Sequence, residues 1–175
     1  MKTILIDGSN VIRTNTGADA REKPYLTHGL LGIIKILSRQ KGHIQVYFDR
    51  GLLWRNRKQE NPLPTMRELC EHYNDKRSLY LFNQLCQHPA VIVANDGRPA
   101  DEVILDREQK LLRGGDDAMI LTNDLFLKYT FQYEFLELPL LYKIGRDMLA
   151  PFRLTGWTFE CPSLGITSPT RFWRR

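Results

Sequence analysis

Cysteine is scarce in this chain: three residues among 175, at positions 70, 86 and 161, with no C-x-x-C. An odd, widely spaced set excludes a disulfide framework and points to a reducing compartment, which we expect to be the cytoplasm. The spacing C-x-H occurs twice, as Cys70/His72 and Cys86/His88. Both pairs fall in a stretch expected to be helical, where residues two apart point away from each other. Core thiols and surface imidazoles are therefore expected there rather than a zinc site. Long apolar runs are missing too. Near the start, Ile4-Leu5-Ile6 are only three apolar residues in a row, too few for a signal-peptide core. No run approaches a membrane span, so no membrane partner is expected. G-x-S-x-G, a Walker loop and G-x-G-x-x-G are absent, as are internal repeats and low-complexity tracts. Acyl-transfer chemistry through a Ser or Cys nucleophile and nucleotide cradling are thus unsupported.

What is present is an ordinary globular composition, 42% hydrophobic and 26% charged, at a length that favours one domain. Twenty-five Lys and Arg against 20 Asp and Glu give a net charge of +5, which suits a polyanionic partner. The cations cluster. Residues 50–58, R-G-L-L-W-R-N-R-K, place Arg50, Arg55, Arg57 and Lys58 around Trp54, and the end of the chain, T-R-F-W-R-R, repeats the mixture. Basic side chains can hold phosphates while an aromatic ring stacks on a base. A solvated loop and a frayed tail would look the same.

The hydrophobic pattern alternates short β-rich runs with longer helical ones. Strands are expected at T-I-L-I (3–6), I-Q-V-Y-F (44–48), A-V-I-V-A (90–94) and A-M-I-L-T (118–122), with a fifth inside 134–144. Helices are expected over 25–40, over 65–87 as one or two, from Pro99 to a stop at Gly114-Gly115, and briefly over 125–131. A polar loop with Pro62 and Pro64 separates the second strand from the 65–87 segment, and the Pro- and Gly-punctuated text after about Ala150 reads as irregular wrapping. Strand–helix–strand alternation predicts an α/β fold with a central, mostly parallel sheet of about five strands flanked by helices. Such sheets bind ligands outside the carboxyl ends of their strands.

Acids stand at those ends. The first strand runs into Asp7, the second into Asp49, the third into Asn95-Asp96 and then a helix opening with Asp101 and Glu102, and the fourth into Asn123-Asp124. Any one of these has a plain explanation as a turn former, an N-cap or a complement to a helix dipole. Gathered together they would repel, and a divalent cation with hard oxygen ligands, Mg²⁺ or Mn²⁺, would relieve that repulsion. Such an ion also suits phosphodiester hydrolysis, where it neutralises developing charge and acidifies a water. An aspartyl nucleophile at Asp7 would want a second acid two residues on, and Ser9 stands there instead.

D-G-S-N after the first strand, A-D-E opening the mid-chain helix and T-N-D after the fourth strand together resemble the NYN branch of the PIN-like nucleases, closest to the Regnase-type endoribonuclease domain. The matching order runs over roughly residues 3–145. The resemblance implies a Rossmann-like PIN/NYN fold over residues 1–150, with 151–175 as an irregular extension packing on it or extending from it. It further implies metal-dependent cleavage of single-stranded RNA. Asp7, Asp101 and Asp124 would hold the metal, with Asp49 a further candidate. Asn10 would orient substrate or a metal-bound water, and Glu102 would take the place of the family's usual second Asp. Arg50, Trp54, Arg55, Arg57, Lys58 and Lys128 would hold RNA. In the Regnase-type domain another Asp stands four residues after the Asp124 position; here that residue is Lys128, which bears on whether a second metal binds. The family's zinc finger is also missing. A catalytically weak or inactive module that binds RNA or protein is the alternative, and a homodimer or another protein partner is left open.

Overall fold

The computed structural model describes residues 2–14, 26–40, 42–55, 62–95, 97–136, 148–155 and 158–169. Five strands form the central sheet: Thr3–Asp7 (β1), His43–Phe48 (β2), Val91–Val93 (β3), Ala118–Leu121 (β4) and Leu149–Ala150 (β5). Their order is β3-β2-β1-β4-β5, and every neighbouring pair is parallel. All five residues of β1 are buried, as expected of the middle strand of a sheet covered on both faces.

Helices fill the crossovers. Gly8–Arg13 (α1) and Thr27–Ser38 (α2) connect β1 to β2. Arg50–Leu53 (α3), Met66–His72 (α4) and Lys76–Leu85 (α5) connect β2 to β3, and Ala100–Arg113 (α6) connects β3 to β4. The period-2 alternation of strand side chains divides the interior into two cores. On one face Ile4, Ile6, Val46, Phe48, Met119 and Leu121 pack with Leu30 and Ile33 of α2 and Phe82 of α5. On the other, Leu5, Tyr47, Ala118 and Ile120 pack with Ile104, Leu105 and Leu111 of α6. The result is the predicted α/β, Rossmann-like architecture, with the sheet wholly parallel.

Local chemistry explains most element ends. Thr65 and Glu68 make a reciprocal capping box that starts α4. Asn74, in the left-handed region at φ 51°, turns the chain into α5, so the 65–87 segment is a pair of helices. Gly115 at φ 79° follows α6, in the backbone region that glycine enters without a steric penalty.

Three expectations differ from the structure, and a fourth falls mostly outside the described residues. The basic stretch after β2 opens not as a loop but as the helical turn α3. The helix expected over 125–131 is a single 3₁₀ turn, Leu127–Tyr129. The fifth strand is not found in the described part of 134–144: Glu134–Leu136 is a 3₁₀ turn, and 137–147 lie outside the described residues. The fifth strand of the described sheet is the two-residue β5, defined by its pairing Ile120↔Leu149 and Leu121↔Ala150, a tertiary contact with no local signature. Finally, the described residues after Ala150 are not irregular. Arg153–Thr155 (β6), Thr158–Cys161 (β7) and Ile166–Pro169 (β8) make an antiparallel sheet in that order. Phe152, Leu154, Phe159, Cys161 and Ile166 from this segment belong to the same core as α2 and β1. Among the described residues no helix is long and apolar enough to cross a membrane.

Candidate functional site

The chain winds from β1 outward through β2 to β3, then crosses back to place β4 on the other side of β1. That reversal makes the carboxyl ends of β1 and β4 the topological switch point, the place where open α/β sheets bind ligands. Asp7 ends β1 at this point and Thr122-Asn123-Asp124 follow β4.

Each residue of D-G-S-N has a task there. Asp7 is only 8% exposed. Its Oδ1 accepts the Asn10 backbone N–H at 3.0 Å, and its Oδ2 accepts the Thr122 hydroxyl at 3.0 Å. A Cβ added at Gly8 would lie 2.5 Å from Phe48 Cε1 and 2.8 Å from Val46 Cγ1, so only glycine lets the chain pass β2 this closely. The Ser9 hydroxyl accepts the Asp49 N–H at 2.8 Å, tying the end of β1 to the end of β2. Asn10 Oδ1 accepts the Asn123 N–H at 3.2 Å, tying it to the turn after β4. The motif is therefore a brace across three strand ends as well as the source of an acid.

The other acids approach from separate segments. Asp49 caps the crossing between β2 and α6, its Oδ1 accepting the Ala100 N–H at 3.1 Å. Asp101 stands in the first turn of α6. Asp124 is exposed; its N–H donates to Thr122 Oγ at 3.0 Å and its Oδ1 accepts the Phe126 N–H at 2.8 Å. The four interact through their charges. Burial pushes the Asp7 carboxyl up to about 7, and Asp101 and Asp49 push in the same direction against the two hydrogen bonds it accepts. Burial also raises Asp101, opposed by Lys128 and reinforced by Asp49 and Asp124. Burial lowers the Arg13 guanidinium, while the nearby Asp49 charge favours its protonated form.

Glu102 does not join this set. Successive helical residues point about 100° apart, and Glu102 turns to Arg98, Oε2 to Nε 3.7 Å. Lys128, expected among the RNA-holding cations, is instead engaged with the acids: its Nζ lies 2.9 Å from Asp101 Oδ2 and 4.7 Å from the centre of the Tyr129 ring. The basic patch is divided. Arg50 lies over Trp54, Cζ 5.2 Å from the ring centre, and Trp54 is 58% exposed. Arg55 is exposed and pairs with Glu68 at 3.2 Å. Arg57, Lys58, Asp96 and the T-R-F-W-R-R end lie outside the described residues. Cys70, Cys86 and Cys161 form no disulfide.

Two contributors were not singled out from sequence. Thr122 joins Asp7 to the Asp124 turn through one buried hydroxyl, and the T of T-N-D was its only signal. Phe126 sits in the left-handed region at φ 50° with its ring 1% exposed. A non-glycine residue held there is strained, and such strain persists only where the surroundings over-determine it.

The donor chemistry suits a hard divalent cation: carboxylate oxygens, partly desolvated and mutually repelling. The placement is less complete. Among the described residues no three His, Cys, Asp or Glu side chains are grouped so as to hold a metal ion together. Mg²⁺ and Mn²⁺ commonly bind through one or two carboxylates, with water and phosphate taking the other positions, and the oxygen donors of Asp7 and Asp101 are of that chemical type. The described set does not form a closed three-carboxylate cage. Compared with protein-family models and with curated proteins, the sequence matches none.

Proposed function

We propose that this chain is an Mg²⁺- or Mn²⁺-dependent endoribonuclease that hydrolyses phosphodiester bonds in single-stranded RNA in the cytoplasm. One observation supports the reading: Asp7, Asp49 and Asp101, from separate segments at the carboxyl end of the sheet, lie near enough for the charges of Asp49 and Asp101 to reinforce what burial does to Asp7, and Asp49 and Asp124 act on Asp101 in the same direction. A stable fold has no use for repelling carboxylates at such a point, whereas a site for cation and phosphate does. The resemblance of D-G-S-N, A-D-E and T-N-D to the NYN branch of the PIN-like nucleases supports the same class.

A divalent ion bound here would neutralise charge developing on the phosphate and acidify a water. The chain's own residues supply the rest. Asp7 and Asp101 offer carboxylate oxygens at the switch point, and Asp49 and Asp124 add negative potential. Asn10 and Thr122 hold Asp7 and the β4 turn in register, acting as positioning residues. Glu102, beside Arg98, stands at the rim. Arg50 and Trp54, just past the end of β2, hold phosphate and base of an incoming strand. In the hydrolysis a water oxygen bonds to phosphorus, one bridging P–O bond breaks, and a proton from the water ends on the leaving oxygen. A test is to incubate pure protein with end-labelled single-stranded RNA and Mn²⁺ beside Asp7→Asn. Cleavage by the wild type that falls at least about 100-fold in the variant supports the reading; equal cleavage by both overturns it.

A second reading has its own observation. Lys128 neutralises Asp101 and no three-ligand group is formed among the described residues, which suits a PIN-like module that binds RNA or protein without chemistry. It expects RNA binding that survives Asp7→Asn and no stabilisation by Mn²⁺.

A further inference from the structure

Arg13 closes the last turn of α1. It is half-buried, and its Nη1 donates to the Pro64 carbonyl at 3.0 Å, just before the Thr65 cap that starts α4. Other cations of the fold face carboxylates: Arg55 pairs with Glu68, Arg113 with Glu134 and Lys128 with Asp101. Arg13 faces only a neutral oxygen, and among the described residues no carboxylate pairs with it. Two acids on neighbouring elements are committed to other groups. Asp49 Oδ1 accepts the Ala100 N–H, and Glu68 accepts from Thr65 and Arg55. A guanidinium carries five N–H donors in a planar fork that matches phosphate. Drawing such a cation partly out of water against one carbonyl costs free energy, which an anionic ligand offsets. The surroundings are of the same sign. Arg55 reaches the same start of α4, and α3, which carries Arg50, packs against α4. Trp54 follows α3 with its indole 58% exposed. Guanidiniums gathered this way repel one another, and a polyanion relieves that repulsion.

We infer that Arg13 binds a backbone phosphate of single-stranded RNA beside the one that is cleaved, so that the strand runs from the carboxyl end of β1 along α1 to Arg55 and Trp54 at the start of α4. The inference rests on the RNA reading above and adds a binding contact to it; Arg13 takes no part in the bond-breaking step. Binding of the whole chain to a fluorescein-labelled, unstructured RNA is followed by fluorescence anisotropy over a series of KCl concentrations. Chelator is present throughout, which stops metal-dependent cleavage. Arg13→Gln weakens binding about three- to tenfold at low salt and reduces the slope of log Kd against log[KCl] by about 0.7, the share of one phosphate contact on a single strand. Arg13→Lys can still reach the Pro64 carbonyl, so it separates loss of charge from loss of that tether. It keeps the slope and loses part of the affinity, because a point charge replaces the fork. Arg113→Gln removes the same charge from an exposed pair at the opposite end of α6 from the acids and changes neither quantity. A wild-type slope in Arg13→Gln, a slope lowered as much in Arg13→Lys, or an equal loss in Arg113→Gln overturns this inference, while RNA binding and cleavage by the wild type leave the nuclease reading standing. No binding of RNA by the wild type overturns both.

Discussion

Asp7→Asn should make the metal-free protein more stable at alkaline pH. The substitution keeps the shape of the side chain and its two contacts: the amide oxygen still accepts the Asn10 N–H, and the NH₂ donates to the Thr122 hydroxyl in place of accepting from it. What disappears is a buried charge. Asp7 rises from 3.8 to about 7 on folding, so between those pH values the folded chain holds a proton that the unfolded chain has released. The sign follows: the contribution of Asp7 to stability falls as pH rises from about 4 to about 7 and stays low beyond. The full effect is on the order of 4 kcal/mol, and relaxation with water entry reduces it to roughly 2 kcal/mol. For a chain of this size each kcal/mol moves the melting temperature by about 2–4 °C. Differential scanning calorimetry in chelator should therefore find Asp7→Asn melting about 5 °C above wild type near pH 8.5, with less than half that gain near pH 5. In Mn²⁺ the order should narrow or reverse, because only the wild type gains from the ion. A variant no more stable than wild type at pH 8.5, or equally shifted at both pH values, would refute the idea that Asp7 is held at the expense of the fold.

The remaining expectations concern the supports of that acid. Thr122→Val removes the hydroxyl that Asp7 accepts from and Asp124 donates to; it should destabilise by about 1–3 kcal/mol in denaturant titration and raise Asp7 further, read by carbon-13 NMR of its carboxyl. Gly8→Ala drives a Cβ into Phe48 and Val46 and should lose about 1–3 kcal/mol by the same titration. Glu108 is fully buried on α6 and, among the described residues, both its oxygens lack a hydrogen-bond partner. Burial raises its carboxyl well above the ordinary range, so its contribution to stability also declines as pH rises above about 4.5, the unfolded value. Glu108→Met should stabilise by about 1–3 kcal/mol at pH 8 and by less at pH 5, measured by thermal melts.

The sheet was legible because β1 and β4 are buried throughout and carry unbroken apolar runs, because the buried end of β2, Val46-Tyr47-Phe48, does the same, and because Pro99 and Gly114-Gly115 bracket α6. The acids at the strand ends were legible for the same reason: once a run is read as a parallel strand, the residue after it stands at the ligand edge. What escaped depends on contacts distant in sequence. β5 is two residues long and exists only through its pairing with β4. The β6–β8 sheet is built from strands of three or four residues, where half-buried Thr158 and Glu160 alternate with buried Phe159 and Cys161 between Pro and Gly that read as irregular chain. Glu108 escaped because helical spacing places it on the buried face beside Ile104 and Leu111, and a carboxylate there contradicts the pattern that otherwise defines the face.

The pairing of Asp101 with Lys128 bears most directly on how the residues at the strand ends are interpreted. Position 128 departs from the resemblance, and in sequence it looks only like the loss of an acid. In the fold the departure acquires a direction, because the side chain that stands there carries the opposite charge and pairs with Asp101. A neutral replacement would have left the repulsion among Asp7, Asp49 and Asp101 in place; a lysine reduces it in the absence of metal. Asp7 is the most buried of the four acids, and the hydrogen bonds it accepts from Asn10 and Thr122 oppose the effect of that burial.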